Sequence, residues 1–191
     1  SALQNHKRNN FKTAESLYKE ILKVKPNHFE SVFHLGALFV QTKNFNKAQQ
    51  LLQRAIKIQP NFVAAHNNLG IVFKELGEHK KAMSHFQKAI EIQPNFENAY
   101  YNLGVAFKGL NEFKKAINCF EKAVQINPNY VMAYNNLGFA FQELNENEKA
   151  ISCYEKVIQI DPSYINAYND LGKILGELGR VNEAKKYFEK S

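Results

Sequence analysis

Five prolines recur along this chain at intervals of 34 residues, and five glycines keep the same interval. A period held through two residue types without an insertion is typical of an array of repeated supersecondary units rather than of one globular core. Such an array builds its function from an extended surface. The recurring positions are Pro26, Pro60, Pro94, Pro128 and Pro162, and Gly36, Gly70, Gly104, Gly138 and Gly172.

Apolar residues inside each unit are spaced three, four and seven positions apart, which predicts helices rather than strands. Each unit carries two such apolar stripes, separated by a residue suited to the left-handed conformation that ends a helix. Lys43 is the poor fit at this position, because the other units have Gly or Asn there. The glycine inside the first stripe predicts that neighbouring helices approach closely. The separating residues are Lys43, Gly77, Asn111, Asn145 and Gly179.

Each proline opens a short connection, and the residue after it is a candidate cap or turn residue for the next helix. These residues are Asn27, Asn61, Asn95, Asn129 and Ser163. Each unit is therefore predicted to be a helix–turn–helix pair, joined to the next pair by a tight loop.

The aligned columns resemble the tetratricopeptide repeat, whose 34-residue pattern is W-x2-L-G-x2-Y followed by Ala, Phe, Ala and Pro. In the unit at 97–130 the matching residues are Leu103, Gly104, Phe107, Ala116, Phe120, Ala123 and Pro128. The tryptophan column differs, with Val32, His66, Tyr100, Tyr134 and Tyr168.

The resemblance covers the whole chain and implies an all-α fold, a right-handed superhelical α-solenoid of stacked antiparallel helix pairs. We expect a single array over residues 1–191. It would comprise a partial repeat at 1–28, full repeats at 29–62, 63–96, 97–130 and 131–164, and a truncated repeat at 165–191. Because the chain begins and stops inside a repeat, we interpret it as a piece of a longer protein. The alternative is an array whose open ends pack on another copy.

No stretch approaches the roughly 20 apolar residues that a membrane span needs, and the polar start is not a signal peptide. Cys119 and Cys153 occupy equivalent positions of successive units. Stacked helices lie about 8–10 Å apart, which exceeds the reach of a disulfide, about 7 Å between Cα atoms. We therefore expect reduced packing residues and a cytoplasmic location.

The net charge of +7 comes largely from two columns of cations on the second helices. We interpret them as a solvated outer face, and the alternative is a docking surface for acidic protein, nucleic acid or anionic lipid. Nucleic acid is the weaker option, because no Arg-rich cluster or stacking platform accompanies the lysines. The columns are Arg54, Lys88, Lys122, Lys156 and Lys190, and Lys47, Lys81, Lys115 and Lys149.

The sequence has no Gly-rich phosphate loop, no cysteine pair at metal-ligand spacing and no H-E-x-x-H motif. Its six histidines are scattered rather than clustered. We therefore expect neither an enzyme nor a bound metal or cofactor.

The family resemblance implies that the first helix of each pair lines a concave groove. Asn68, Asn102 and Asn136 recur there at the repeat period. A primary amide both donates and accepts, so this ladder can hold the backbone of an extended peptide. The alternative is that each amide bonds only to its own scaffold. Phe33, Ile71, Tyr101, Val105 and Phe139 would add apolar contact, Lys74 and Lys108 would favour acidic side chains, and His34, Asn67 and Asn135 complete the predicted site.

The run A-x-N-N-L-G at 65–70 and 133–138 is similar to the superhelical repeats of O-linked N-acetylglucosamine transferase, where inward asparagines hold peptide backbone. It also lies near the general consensus. Chaperone-binding members instead grip a C-terminal carboxylate with a Lys/Asn/Asn/Lys/Arg set. Only the central Asn of that set is present here, so chaperone tails are not expected ligands.

The sequence thus predicts a protein–protein interaction scaffold that binds a peptide segment in its groove. One alternative is a substrate-presenting domain of a larger glycosyltransferase- or sulfotransferase-like enzyme. Another is a self-assembly module, because Val181, Ala184 and Phe188 of the last helix lack a following unit.

Overall fold

The computed structural model describes residues 1–190, and all regular secondary structure within them is helical. Twelve helices are present in these residues. They are α1 (Ala2–Lys7), α2 (Phe11–Val24), α3 (Phe29–Gln41), α4 (Phe45–Ile58), α5 (Val63–Glu75), α6 (His79–Ile92), α7 (Glu97–Gly109), α8 (Phe113–Ile126), α9 (Val131–Glu143), α10 (Asn147–Ile160), α11 (Ile165–Glu177) and α12 (Val181–Phe188).

The helices pack in consecutive pairs within two compact units. In the first unit, residues 1–94, α1 packs on α2, α3 on α4 and α5 on α6, and α2 and α4 also pack on the first helix of the next pair. The second unit begins at residue 95 and repeats this arrangement with α7 to α12. The predicted all-α fold of paired helices is confirmed. The short helix α1 was not predicted, because its six residues bury only Ala2 and His6 and show no apolar period.

Each first helix from α3 onward ends in the same hydrogen-bonded turn. At α3 the backbone N–H of Asn44 donates to the carbonyl of Phe39 at 2.8 Å, and that of Lys43 donates to Val40 at 3.1 Å. These two bonds form the Schellman motif, which needs one residue in the left-handed conformation. Lys43 adopts it with a φ of 57°, so this poorly suited residue has the same left-handed conformation as the Gly and Asn residues at this position of the other units.

The repeated glycine brings each helix pair into close contact, as predicted. A Cβ atom on Gly70 would lie 2.5 Å from the ring of Phe86, and one on Gly104 would lie 2.6 Å from the ring of Phe120. Both rings are fully buried. Only a residue without a side chain therefore permits this spacing between the helices.

Of the two roles predicted for the residues after the prolines, cap or turn, the structure shows the turn, because other residues are the N-caps of the next helices. Helix α5 begins after Phe62, whose side chain makes no capping hydrogen bond. The Phe62 ring instead packs edge-on against Phe29 and Phe33, at centroid distances of 4.9 and 4.8 Å. Apolar packing thus replaces the hydrogen-bonded cap at this position. The N-cap residues are His28, Phe62, Phe96, Tyr130 and Tyr164, and of these only His28 accepts a hydrogen bond with its side chain.

Both cysteines are free, and they serve as packing residues. Burial raises the pKa of Cys119 to about 11 and the pKa of Cys153 to about 12. Neither thiol is therefore ionised at neutral pH. Among the helices of residues 1–190, none combines the length and the hydropathy that crossing a bilayer requires.

Candidate peptide-binding face

All of the predicted peptide-binding residues lie on first helices. We call the set on α3 and α5 the first-unit face and the set on α7 and α9 the second-unit face. The first-unit face comprises Phe33, His34, Asn67, Asn68, Ile71 and Lys74, and the second-unit face comprises Tyr101, Asn102, Val105, Lys108, Asn135, Asn136 and Phe139.

Two aromatic rings of the first-unit face are held by their neighbours. Phe33 is half-buried and contacts the ring of Phe62 at the start of α5. His34 stacks on Tyr18, with ring centroids 6.0 Å apart and planes at 20°. Burial lowers the pKa of His34, and the nearby His6 lowers it further. His34 therefore presents a neutral ring at pH 7.

The polar residues of the first-unit face differ in how far they are engaged. Asn67 is buried, and it is engaged in a contact. Asn68 is half-buried, and the Asn68 amide makes no hydrogen bond within residues 1–94. Lys74 pairs with Glu75 at 3.0 Å, so a carboxylate of its own helix neutralises its charge. Asn68 is thus the amide of this face best placed to meet a ligand.

Asn136 of the second-unit face is engaged inside the unit. It is 6% exposed, and its amide nitrogen donates to the carbonyl of Met132 at 2.8 Å and to the Tyr101 hydroxyl at 3.4 Å. Its amide oxygen accepts from the ammonium of Lys108 at 2.5 Å. These are the bonds that the scaffold alternative predicts for this residue. Asn102 is half-buried on α7.

Lys108 is half-buried above the ring of Phe139, with Nζ 5.0 Å from the ring centroid. Burial lowers the pKa of this lysine. No carboxylate of residues 95–190 lies within ion-pair distance of it. The ammonium therefore rests against a neutral amide oxygen and an aromatic face.

Tyr130, which the predicted site lacks, pairs with Tyr101 beside Asn136. Tyr101 and Tyr130 have ring centroids 5.1 Å apart, and the Tyr130 hydroxyl donates to the side-chain oxygen of Asn98 at 2.9 Å. Burial raises the pKa of Tyr130 to about 12. The sequence does carry a signal for Tyr130, because an aromatic residue or His stands two positions after every proline.

The second-unit face also exposes apolar side chains and contains one buried amide oxygen without a partner. Met132 is 44% exposed and Phe139 is 37% exposed. The side-chain oxygen of Asn135 is buried and makes no hydrogen bond within the part of the chain that the structure describes. Exposed apolar side chains and one unpaired amide oxygen thus occur together on α9.

The lysines of one basic column are engaged in repeated intramolecular contacts. Lys81 lies 5.3 Å from the ring centroid of Phe73 and pairs with Glu78, the residue before α6. Lys115 and Lys149 repeat both contacts in the second unit, and Lys47 repeats the aromatic one. These contacts favour the interpretation of a solvated structural face. Across residues 1–190, no group of three or more His, Cys, Asp and Glu side chains is placed to hold a metal ion.

Helix α12 carries the apolar residues singled out for self-assembly. Val181 is 67% exposed, Phe188 is partly exposed and Ala184 is buried. A shallow cleft of about 460 Å³ lies between them and Gly176. Self-association through this surface stays a prediction.

The family models that match this chain all describe the same repeat. Family models described as tetratricopeptide repeat or TPR repeat match residues 36–77, 63–96, 97–130, 119–152 and 140–179. A comparison with curated proteins finds no match.

Several solved structures resemble the chain. The crystal structure of MamA is 31% identical, with a TM-score of 0.76 over 82% of this chain and 91% of that chain. The Pseudomonas aeruginosa PilF structure has a TM-score of 0.87 at 17% identity, over 97% of this chain and 85% of that chain. YrrB, described as a TPR protein with an unusual peptide-binding site, has a TM-score of 0.73 at 18% identity, over 91% of this chain and 89% of that chain.

Proposed function

Because the chain belongs to the tetratricopeptide repeat family, we propose that it is a protein–protein interaction scaffold whose first-helix faces bind a peptide segment. The observation that carries this proposal is the composition of the second-unit face. Exposed Met132 and Phe139 lie on the same helix as Asn135, whose buried amide oxygen has no partner among the described residues. Apolar surface with a few convergent polar groups is typical of ligand sites.

A structural relative supports the choice of a peptide as the ligand class. YrrB shares the fold and is described as having a peptide-binding site. At 18% identity this likeness shows the fold alone, so the ligand class rests on the composition of the faces in this chain. We assign the chain no reaction.

Each face offers its own contacts to a bound peptide. Asn68 offers its amide to the backbone of an extended peptide, because the amide has both a donor and an acceptor to give. Phe139 and Met132 supply apolar contact area. Asn136 holds Lys108 and Tyr101 in position rather than meeting the peptide with its own amide.

The proposal is tested by screening the chain against a peptide array. The wild type is compared with the variant Asn68→Ala, Asn102→Ala, Asn136→Ala and with Phe139→Ser. We expect the wild type to bind a defined set of peptides, and both variants to lose most of that binding while keeping the helical circular dichroism. Binding that survives in both variants would place the ligand elsewhere.

A third variant separates peptide binding from charge attraction. Lys88→Ala, Lys122→Ala and Lys156→Ala alter the other basic column, where each of these three lysines bonds to the residue three positions later on its own helix. We expect this variant to retain the peptide set. Loss of binding here, with steep salt dependence, would instead identify the basic outer face as the interaction surface.

A further inference from the structure

Lys108 is a half-buried cation that lacks the counter-ion its counterpart has. Lys74 occupies the same position of the preceding repeat and pairs with Glu75 at 3.0 Å. At Lys108 the next residue is Gly109, and no carboxylate of residues 95–190 comes within ion-pair distance. Partial removal of an ammonium from water costs free energy that a nearby anion offsets. An anionic group would therefore be favoured beside Lys108.

The groups around Lys108 orient its ammonium but leave its charge unneutralised. The amide oxygen of Asn136 accepts one of the three N–H donors at 2.5 Å. The ring of Phe139 lies 5.0 Å away and attracts the cation through its electron-rich face. Both groups are neutral, so two donors and the full positive charge remain for a ligand.

Asn136 is itself fixed by contacts on its far side. Its amide nitrogen donates to the carbonyl of Met132 and to the Tyr101 hydroxyl, so the amide cannot rotate without losing both bonds. The oxygen is therefore committed to the side facing Lys108. This arrangement holds the ammonium at one place on the second-unit face, close to the exposed Phe139 side chain.

We propose that Lys108 is the anchor for an Asp or Glu side chain of the bound peptide, with Asn136 as the residue that positions it. This inference rests on the proposed function and specifies its ligand, a peptide with an acidic residue next to an apolar one. The carboxylate binds the free donors of the ammonium, and the neighbouring apolar side chain of the peptide packs on Phe139. Lys74 has no such role, because the Glu75 carboxylate already pairs with the Lys74 ammonium.

The test begins with selection from a phage library of random peptides on the immobilised wild-type chain. We expect the selected peptides to share an acidic position. A selected peptide and its Glu→Gln or Asp→Asn counterpart are then titrated against the wild type, Lys108→Gln and Lys74→Gln. Loss of the peptide carboxylate should weaken binding to the wild type and to Lys74→Gln by about tenfold, the size expected of a partly desolvated ion pair. It should have no effect on Lys108→Gln.

An isosteric charge change gives a second test of the same contact. Asn136→Asp places a carboxylate oxygen against Lys108 but removes the donor to the Met132 carbonyl, so circular dichroism must first show that the helices are retained. The variant should then abolish the preference for acidic peptides. Asn166→Asp makes the same charge change at an exposed site on α11 and should leave the preference intact. An acidic preference that persists in Lys108→Gln or in Asn136→Asp would overturn the inference, as would selected peptides without a shared acid.

A direct probe of Lys108 distinguishes failure of the proposed peptide binding from failure of the proposed carboxylate site. Resonances of 13C-labelled lysine side chains are followed while tetraglutamate or tetraglutamine is added. We expect a saturable shift of the Lys108 signal with tetraglutamate alone. If no phage peptide is selected but this shift appears, the proposal of a peptide-binding scaffold is wrong and the proposal of a carboxylate site at Lys108 is supported. If the Lys108 signal does not move, the carboxylate site is wrong.

Discussion

At the scale of single residues, His66 shows how the chain compensates for the missing tryptophan of the repeat pattern. Its Nε2 lies 2.9 Å from the carbonyl of Pro60, an acceptor, so Nε2 carries the proton and donates. The unprotonated Nδ1 then accepts from Nδ1–H of His85 at 3.2 Å. In the last repeat the hydroxyl of Tyr168 donates to the carbonyl of Pro162 at 3.1 Å. In these two repeats the column therefore supplies a donor that ties a first helix to the loop before it.

The paired histidines predict that stability falls in mild acid. Burial and the adjacent His66 lower the pKa of His85 to about 4, from an unfolded value of about 6.5. The fold thus favours neutral His85, and its contribution is fully present above pH 6.5 and is lost as the pH falls towards 4. Between pH 7.5 and 5.0 we expect this histidine to cost about 1–2 kcal/mol of unfolding free energy, allowing for its partial exposure. Urea unfolding at the two pH values measures the loss.

The matched variant for this prediction is His85→Gln, which keeps a donor for His66 but does not titrate. The histidines that do not contact residue 85 keep their surroundings in it, so their contribution cancels and the comparison reports the His66–His85 pair. We expect the variant to lose about 1–2 kcal/mol less than the wild type between the two pH values. Equal losses in the two proteins would show that the histidine pair does not carry the pH dependence.

At the scale of helices and turns, Lys43 occupies a position that suits glycine. Its φ of 57° places the Cβ atom in an unfavourable contact with the backbone, and the two turn hydrogen bonds offset that cost. We expect Lys43→Gly to raise the free energy of unfolding by about 0.5–1 kcal/mol, measured by urea denaturation. Gln53→Gly, at an exposed position inside α4, should lower it by about 1 kcal/mol. The same sign for both changes would contradict the explanation.

The close contact between the helices of a pair predicts that Gly→Ala substitutions at two glycines change the stability differently. Gly70→Ala adds a methyl group 2.5 Å from the buried ring of Phe86, and we expect a loss of about 1–3 kcal/mol in thermal or urea unfolding. At Gly109 nothing lies within 4 Å of the added Cβ, so Gly109→Ala should be neutral or stabilise α7 by up to about 1 kcal/mol. Similar losses at both positions would mean that close helix approach does not explain the repeated glycine.

At the scale of the whole molecule, the period of the sequence predicts the helices better than it predicts the site. Proline, glycine and apolar columns report packing and turns, which every repeat must satisfy in the same way. The helix pairs and the left-handed turns were predictable for that reason. The aromatic N-cap residues, such as Phe62, were missed because capping rules consider hydrogen bonds and this position is satisfied by apolar packing.

The candidate site was harder to predict because it depends on what differs between repeats. Asn68 and Asn136 occupy the same column, yet the first is half-buried, whereas the second is fixed by Met132, Tyr101 and Lys108. Residues of these types do not occur at the corresponding positions of every repeat. The asparagine column alone therefore does not show which of its amides is engaged. Lys74 and Lys108 differ in the same way, because only one of them has a following glutamate.

The central claim, that peptides bind on the first-helix faces, is tested most directly by mapping a selected peptide onto the chain by amide 1H–15N chemical shifts. We expect the largest changes on α7 and α9, including Lys108, Asn135 and Phe139, with the second helices α8 and α10 little affected. Changes concentrated instead on α8 and α10, or on the exposed apolar surface of α12, would contradict the proposed function.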